Sequence, residues 1–99
     1  MNTAATADGL CSFVDASPSP FHVCESVAKV LADNGFTPLD ETQPWSAGGR
    51  RYVIRGGSII AWDDSNASGA FRVVGGHTDS PNLRVKQHPN GRVGDLRMV

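Results

Sequence analysis

An α/β fold, with helices leading and strands following, is the class this sequence predicts. Three observations carry it. Apolar residues recur at helical spacing through the first third of the chain. Two β-rich runs, Tyr52-Val53-Ile54 and Ser58-Ile59-Ile60-Ala61-Trp62, flank Gly56-Gly57. A further apolar run, Phe71-Arg72-Val73-Val74-Gly75-Gly76, ends in the polar cluster His77-Thr78-Asp79-Ser80-Pro81. The order helix, helix, three or four strands leaves the sheet short of covering helices. One face is therefore expected to be bare and the domain incomplete.

After a frayed start over residues 1–6, a first helix is expected from about Ala7 to Ala16, where Leu10, Phe13 and Val14 fall on one stripe. Ser17-Pro18-Ser19-Pro20 stops it, because each proline biases its predecessor away from the α region. Ser19 then suits the N-cap of a second helix and Pro20 its first position, where a missing N–H costs nothing. That helix is expected over Pro20–Asn34, with Phe21, Cys24, Val27, Ala28 and Leu31 on its apolar stripe and Val23 and Val30 widening it. Gly35 supplies the left-handed terminator, and Phe36 and Leu39 pack back on the core.

Residues 40–50 read as a loop anchored by Trp45, and Gly56-Gly57 as the tight turn of a hairpin. Asp63 to Gly69 is a second turn; Asn66-Ala67-Ser68 has the form of a glycosylation sequon but reads as turn chemistry. Phe71–Gly76 is expected to be a central strand. Leu83, Val85 and Gln87 alternate with Arg84, Lys86 and His88 as a half-exposed one. Pro89-Asn90-Gly91 makes a turn, and Arg92–Val99 shows no usable period.

Composition excludes several function classes. The chain has 99 residues, enough for one small domain or part of a larger one. Its net charge is −1, so no basic surface calls for nucleic acid or an anionic membrane. No apolar run approaches the roughly 18–20 residues that span a bilayer. The N-terminus lacks the charged and apolar regions of a secretory leader, so the expected location is cytoplasmic. Cys11 and Cys24 are then expected as reduced thiols, since two cysteines are too few for a secreted framework.

Chemistry concentrates in Gly75-Gly76-His77-Thr78-Asp79-Ser80-Pro81. In an extended chain, residues i and i+2 point to the same side, so His77 and Asp79 face one pocket. The glycines allow close approach of backbone, substrate or metal. Imidazole is a common metal ligand, and a nearby carboxylate can orient it. Other candidates read as structural. Asp63-Asp64 sits in a solvated turn. Ser17 and Ser19 have no positioned base. Gly75-Gly76-His77 is not a dinucleotide fingerprint.

Two segments carry a resemblance. Asp15-Ala16-Ser17-Pro18-Ser19-Pro20-Phe21-His22 with the helix behind it, and Phe71-Arg72-Val73-Val74-Gly75-Gly76-His77-Thr78-Asp79-Ser80-Pro81-Asn82-Leu83-Arg84-Val85-Lys86, together resemble the N-terminal part of the aspartyl aminopeptidase family. The similarity spans roughly residues 7–89, with the two signatures in the family's order and the hairpin between them.

The resemblance implies the first part of an α/β catalytic domain of a cocatalytic dizinc metallopeptidase, with two Zn2+ per site. Such enzymes remove N-terminal residues, often acidic ones, from peptides with a free N-terminus by zinc-activated water, and assemble as homo-oligomers. It implies that His77 is a zinc ligand and Asp79 the catalytic carboxylate that orients or polarises it. The two ions of such a site sit roughly 3.5–4 Å apart. The family also carries a histidine at the position of His22, with no metal role to assign.

The family's remaining carboxylate ligands, its glutamate base and its second histidine lie beyond the matched segment. After Asp79 this sequence offers His88 and Asp95. One histidine and one carboxylate fall short of the four ligands a zinc ion takes. Residues 91–99 read as a divergent tail. Residues 1–99 are thus expected to be an N-terminal fragment, truncated and inactive by itself. The alternative is a non-catalytic remnant or interaction module that associates with a full-length homologue. A weaker reading is an independent small metal binder whose site is completed by His88 or Asp95.

Overall fold

The second helix, α2, spans Pro20–Asp33 and is the element against which the sheet packs. A computed structural model describes residues 2–46, 48–66, 68–85, 87–88 and 90–98, with the backbone alone at Val93, Arg97 and Met98. The expectations for Met1, Ala67, Lys86, Pro89 and Val99 lie outside the described residues. Ser19 caps α2, its hydroxyl accepting the His22 N–H at 3.3 Å, and Pro20 occupies the first turn. At the other end the Phe36 N–H reaches the Leu31 carbonyl at 3.0 Å and the Gly35 N–H the Ala32 carbonyl at 3.1 Å. Gly35 has φ +82°. This is the Schellman arrangement, which a glycine at the left-handed position permits.

The chain then folds back. β1 (Thr37–Pro38) pairs parallel with β2 (Arg50–Arg55), which pairs antiparallel with β3 (Ser58–Asp63) in the sheet order β1-β2-β3. Gly56, at φ +55°, turns the β2–β3 hairpin in two residues. A glycine first in a two-residue loop matches the turn twist that hairpins favour. β1 is an edge strand, the place where a proline costs no ladder bond. It was not expected, because two residues carry no period.

Arg50 joins the end of α2 to the sheet. Its guanidinium donates to Asp63 Oδ2 at 2.9 Å and to the Asn34 carbonyl at 3.3 Å, and lies 5.9 Å from the Phe36 ring centre. The buried point of the molecule is Cys24, 1% exposed, on the face of α2 that packs against β2 and β3. Burial raises its thiol pKa. Cys11 is exposed, and both thiols are free. Val23, Val27, Ala28 and Leu31 are half-buried beside Cys24, whereas Phe21 and Val30 turn outward. The stripe is narrower than its composition suggested.

The first helix, α1, spans Thr3–Asp15 and starts earlier than the expected Ala7, because the Asn2 side chain accepts the Ala4 N–H at 3.1 Å. It has no buried residue; Leu10 and Val14 face outward and Phe13 is half-buried. On the sheet, Val53, Ile60 and Trp62 share one face by strand alternation and register. Trp45 packs on Trp62 with ring centres 5.9 Å apart and donates its indole N–H to the Asp40 carbonyl at 3.2 Å. The loop over 40–50 is anchored as expected, and this sheet face is bare, with Ile60 65% exposed.

Two expected strands are corrected. Residues 70–85 have no regular secondary structure, so neither Phe71–Gly76 nor the described part of 83–88 is a strand. Val74 is 99% and Leu83 104% exposed. A strand exists through its neighbours' hydrogen bonds, and no described strand pairs with either run. Conversely, β4 (Gly91–Val93) and β5 (Leu96–Met98) form an antiparallel hairpin where no period was visible. Its cause is local: Gly94, at φ +60°, opens the two-residue turn.

The α/β class therefore holds, as two helices and a three-stranded sheet with a separate hairpin among the described residues. The accessible surface is 8710 Å². A compact monomer of this mass exposes about 5,400 Å². The radius of gyration, 18.9 Å, likewise exceeds the roughly 13 Å of a compact chain this long.

Two outcomes are expected. Ser19→Ala removes the α2 cap and lowers stability by about 1 kcal/mol, read by urea denaturation. The second concerns pH. The Thr42 hydroxyl and N–H hold Asp40 below the usual carboxylate value; the Arg55 guanidinium does the same for Glu41, and the Ser65 hydroxyl, its N–H and Arg50 for Asp63. A carboxylate with a depressed folded value stabilises the fold above its unfolded value, near pH 4, and that contribution is lost as pH falls through the folded value. Thermal midpoints by circular dichroism should fall between about pH 5 and 2, less steeply in Glu41→Gln.

Candidate metal centre

The segment 77–80 is hydrogen-bonded to the β2–β3 turn through one side chain. The Thr78 hydroxyl donates to the Gly57 carbonyl at 2.6 Å. Gly57 sits at the β2–β3 turn and presses on the start of α2. A Cβ built there would lie 2.8 Å from Pro20 Cβ, closer than real side chains come. Three sequence features therefore meet at one point: the capped start of α2, the glycine turn and the HTD segment.

His77 and Asp79 flank Thr78, with side chains 80% and 76% exposed. The two residues lie side by side although the segment is not a strand. His77 Nδ1 lies 2.6 Å from the Asp79 carbonyl oxygen and 3.8 Å from its Oδ1. A carbonyl only accepts, so in the neutral ring Nδ1 carries the proton and Nε2 presents its lone pair. A histidine held this way by backbone or carboxylate oxygen is the arrangement found behind metal-ligating imidazoles. The donors fit zinc in kind.

The segment borders a cleft of about 210 Å³. One wall is Phe13, Val14, Ser17, Pro18 and Pro20; the other is His77, Thr78, Asp79, Asn82 and Arg84. The two signatures, separated by some fifty residues of sequence, thus face one another. Ser17 hydrogen-bonds to Ser26 at 3.0 Å, which ties the proline turn to α2.

Other candidates fall elsewhere. His22 Nδ1 is 2.6 Å from Ser19 Oγ, a helix-start contact, and His22 does not line the cleft. Asp63, expected in a solvated turn, instead ends β3, where Arg50 and Ser65 hold its carboxylate, and Asp64 follows it half-buried. His88 and Asp95 are exposed. Among the described residues no three His, Cys, Asp or Glu side chains group as a metal cluster, so neither His88 nor Asp95 completes a site with His77 and Asp79. Thr78 and Gly57 were missed in the sequence. The alternation that put His77 and Asp79 on one side also aims Thr78 the opposite way.

Comparison with known proteins agrees with the paired signatures. The family model described as Aminopeptidase I zinc metalloprotease (M18) matches residues 13–99. The chain belongs to this family of zinc metallopeptidases. Its relatives include proteins named "Probable M18 family aminopeptidase 2". The one from Mycobacterium tuberculosis is 51% identical over 97% of this chain, and that from Mycobacterium leprae 50% over 96%. The Streptomyces coelicolor relative is 48% identical over 93%. The chain spans about a quarter of the length of these relatives, 23% in the first two and 22% in the third.

Proposed function

We propose that this chain contributes the first metal-binding segment of a zinc aminopeptidase of the aspartyl type. The observation that carries it is His77, its Nδ1 held at the Asp79 carbonyl and its side chain 80% exposed beside the cleft. His77 would hold zinc through Nε2, and Asp79 would orient the ring and strengthen it as a donor. When bound, zinc polarises a peptide carbonyl and acidifies water. The chain's own residues would position that ion and form both walls of the cleft beside it.

The remaining ligands would come from outside the described residues, since a zinc ion takes about four donors and this segment offers one, His77 Nε2. The full site would hold two Zn2+ and act on peptides with a free, often acidic N-terminus, in a cytoplasmic homo-oligomer. Residues 1–99 would form one N-terminal unit of that catalytic domain and would not turn over substrate alone. A second reading, an interaction module that associates with a full-length homologue, is favoured by the surface in excess of a compact monomer.

The test is zinc content and aminopeptidase activity of the purified chain on aspartyl and glutamyl chromogenic substrates, with His77→Ala alongside. The expected result is no turnover, and zinc affinity reduced more than roughly tenfold by the substitution. Equal zinc binding by His77→Ala would remove His77 from the ligand set. Turnover lost in His77→Ala would overturn the inactivity of the chain alone. Co-elution with a full-length homologue would support the second reading.

A further inference from the structure

We propose that Thr78 is the positioning residue of this site: its hydroxyl, anchored on the Gly57 carbonyl, holds residues 77–79 so that His77 and Asp79 face outward together. The proposal rests on the reading of His77 as a metal ligand. Three observations support it. Thr78 is half-buried, while both of its neighbours are exposed. Its hydrogen bond to Gly57 spans 21 positions at 2.6 Å and joins 77–79 to the hairpin turn. The anchor is itself fixed, because Gly57 lies so close to Pro20 that a Cβ there would fall 2.8 Å from the proline's.

Residues 70–85 have no strand ladder to set their register. In such a segment a side-chain hydrogen bond takes over part of that role. The Thr78 bond fixes the middle residue, and period-two alternation then puts His77 and Asp79 on the opposite side. That is the geometry in which Nδ1–H meets the Asp79 carbonyl and Nε2 keeps a free lone pair. Threonine suits this position because its hydroxyl makes the bond. Valine keeps the shape and loses the donor; serine keeps the donor and loses a methyl group.

The experiment uses the 99-residue chain and its Thr78→Val, Thr78→Ser and Gly57→Ala variants. Long-range 1H–15N spectra of the His77 ring, recorded without metal, read which nitrogen carries the proton. Competition with a chelator reads zinc affinity. The wild type and Thr78→Ser should show Nδ1–H; Thr78→Val and Gly57→Ala should show mixed tautomers. Where zinc binds, its affinity should fall roughly tenfold in the latter two.

An unchanged ring spectrum in Thr78→Val overturns the proposal, whatever its zinc affinity. Gly57→Ala provides a second route, since it disturbs the anchor and leaves the hydroxyl in place. If zinc binds the wild type and His77→Ala equally while Thr78→Val still mixes tautomers, the metal reading fails and the positioning role stands. If all four proteins bind zinc equally with unchanged spectra, the positioning role fails and the metal reading stands.

Discussion

The contact at Gly57 is the constraint on which the arrangement of the functional segment depends. One carbonyl receives the Thr78 hydroxyl, and one missing side chain admits Pro20. Each partner comes from a different part of the sequence. Pro20 is the first residue of a helix whose cap, Ser19, fixes its starting angle. Gly57 ends a hairpin whose other end is bound to that helix's far terminus by Arg50. Helix α2 is therefore held to the sheet at both ends, and the HTD segment is fastened at the proline end. A net hydrogen bond contributes about 1 kcal/mol. Its value here lies in where it holds the chain.

What could be read from the sequence divides along a physical line. Features set by nearby residues were legible. The α2 cap, its proline and its glycine terminator fix both helix ends within one turn, and Gly56-Gly57 fixes the hairpin. Features set by distant partners were not. Phe71–Val74 has the composition of a buried strand, but composition records what a segment needs, and pairing decides whether it is met. The β4–β5 hairpin is the exception, since its cause, Gly94, is local and no period marked its short strands. At the site, His77 and Asp79 were legible from type and spacing. Thr78 was not, because its partner Gly57 lies across the fold and a threonine beside a histidine has no distinctive chemistry.

Family membership and the exposed surface describe the same situation. The relatives are about four times as long as the matched segment, and this chain exposes its apolar residues at Phe71, Val73, Val74, Leu83 and Val85. An apolar run of this kind is stable when buried on both faces, as strands in α/β sheets are. The apolar row at 71–74 has a composition suited to a larger core, and it leads directly into the candidate ligand.

The two tryptophans have an optical consequence. Trp45 and Trp62 are the only two in the sequence, and they sit together in a cleft lined by Glu41, Val53, Arg55, Ser58 and Ile60, with no residue of the 77–84 segment. They sit over the 40–46 loop, beside the Glu41–Arg55 ion pair. Intrinsic fluorescence of this chain is therefore a local gauge of that loop and sheet face. A quiet emission signal on adding a metal carries no news of His77, and a shifted one points first to whatever covers the aromatic pair.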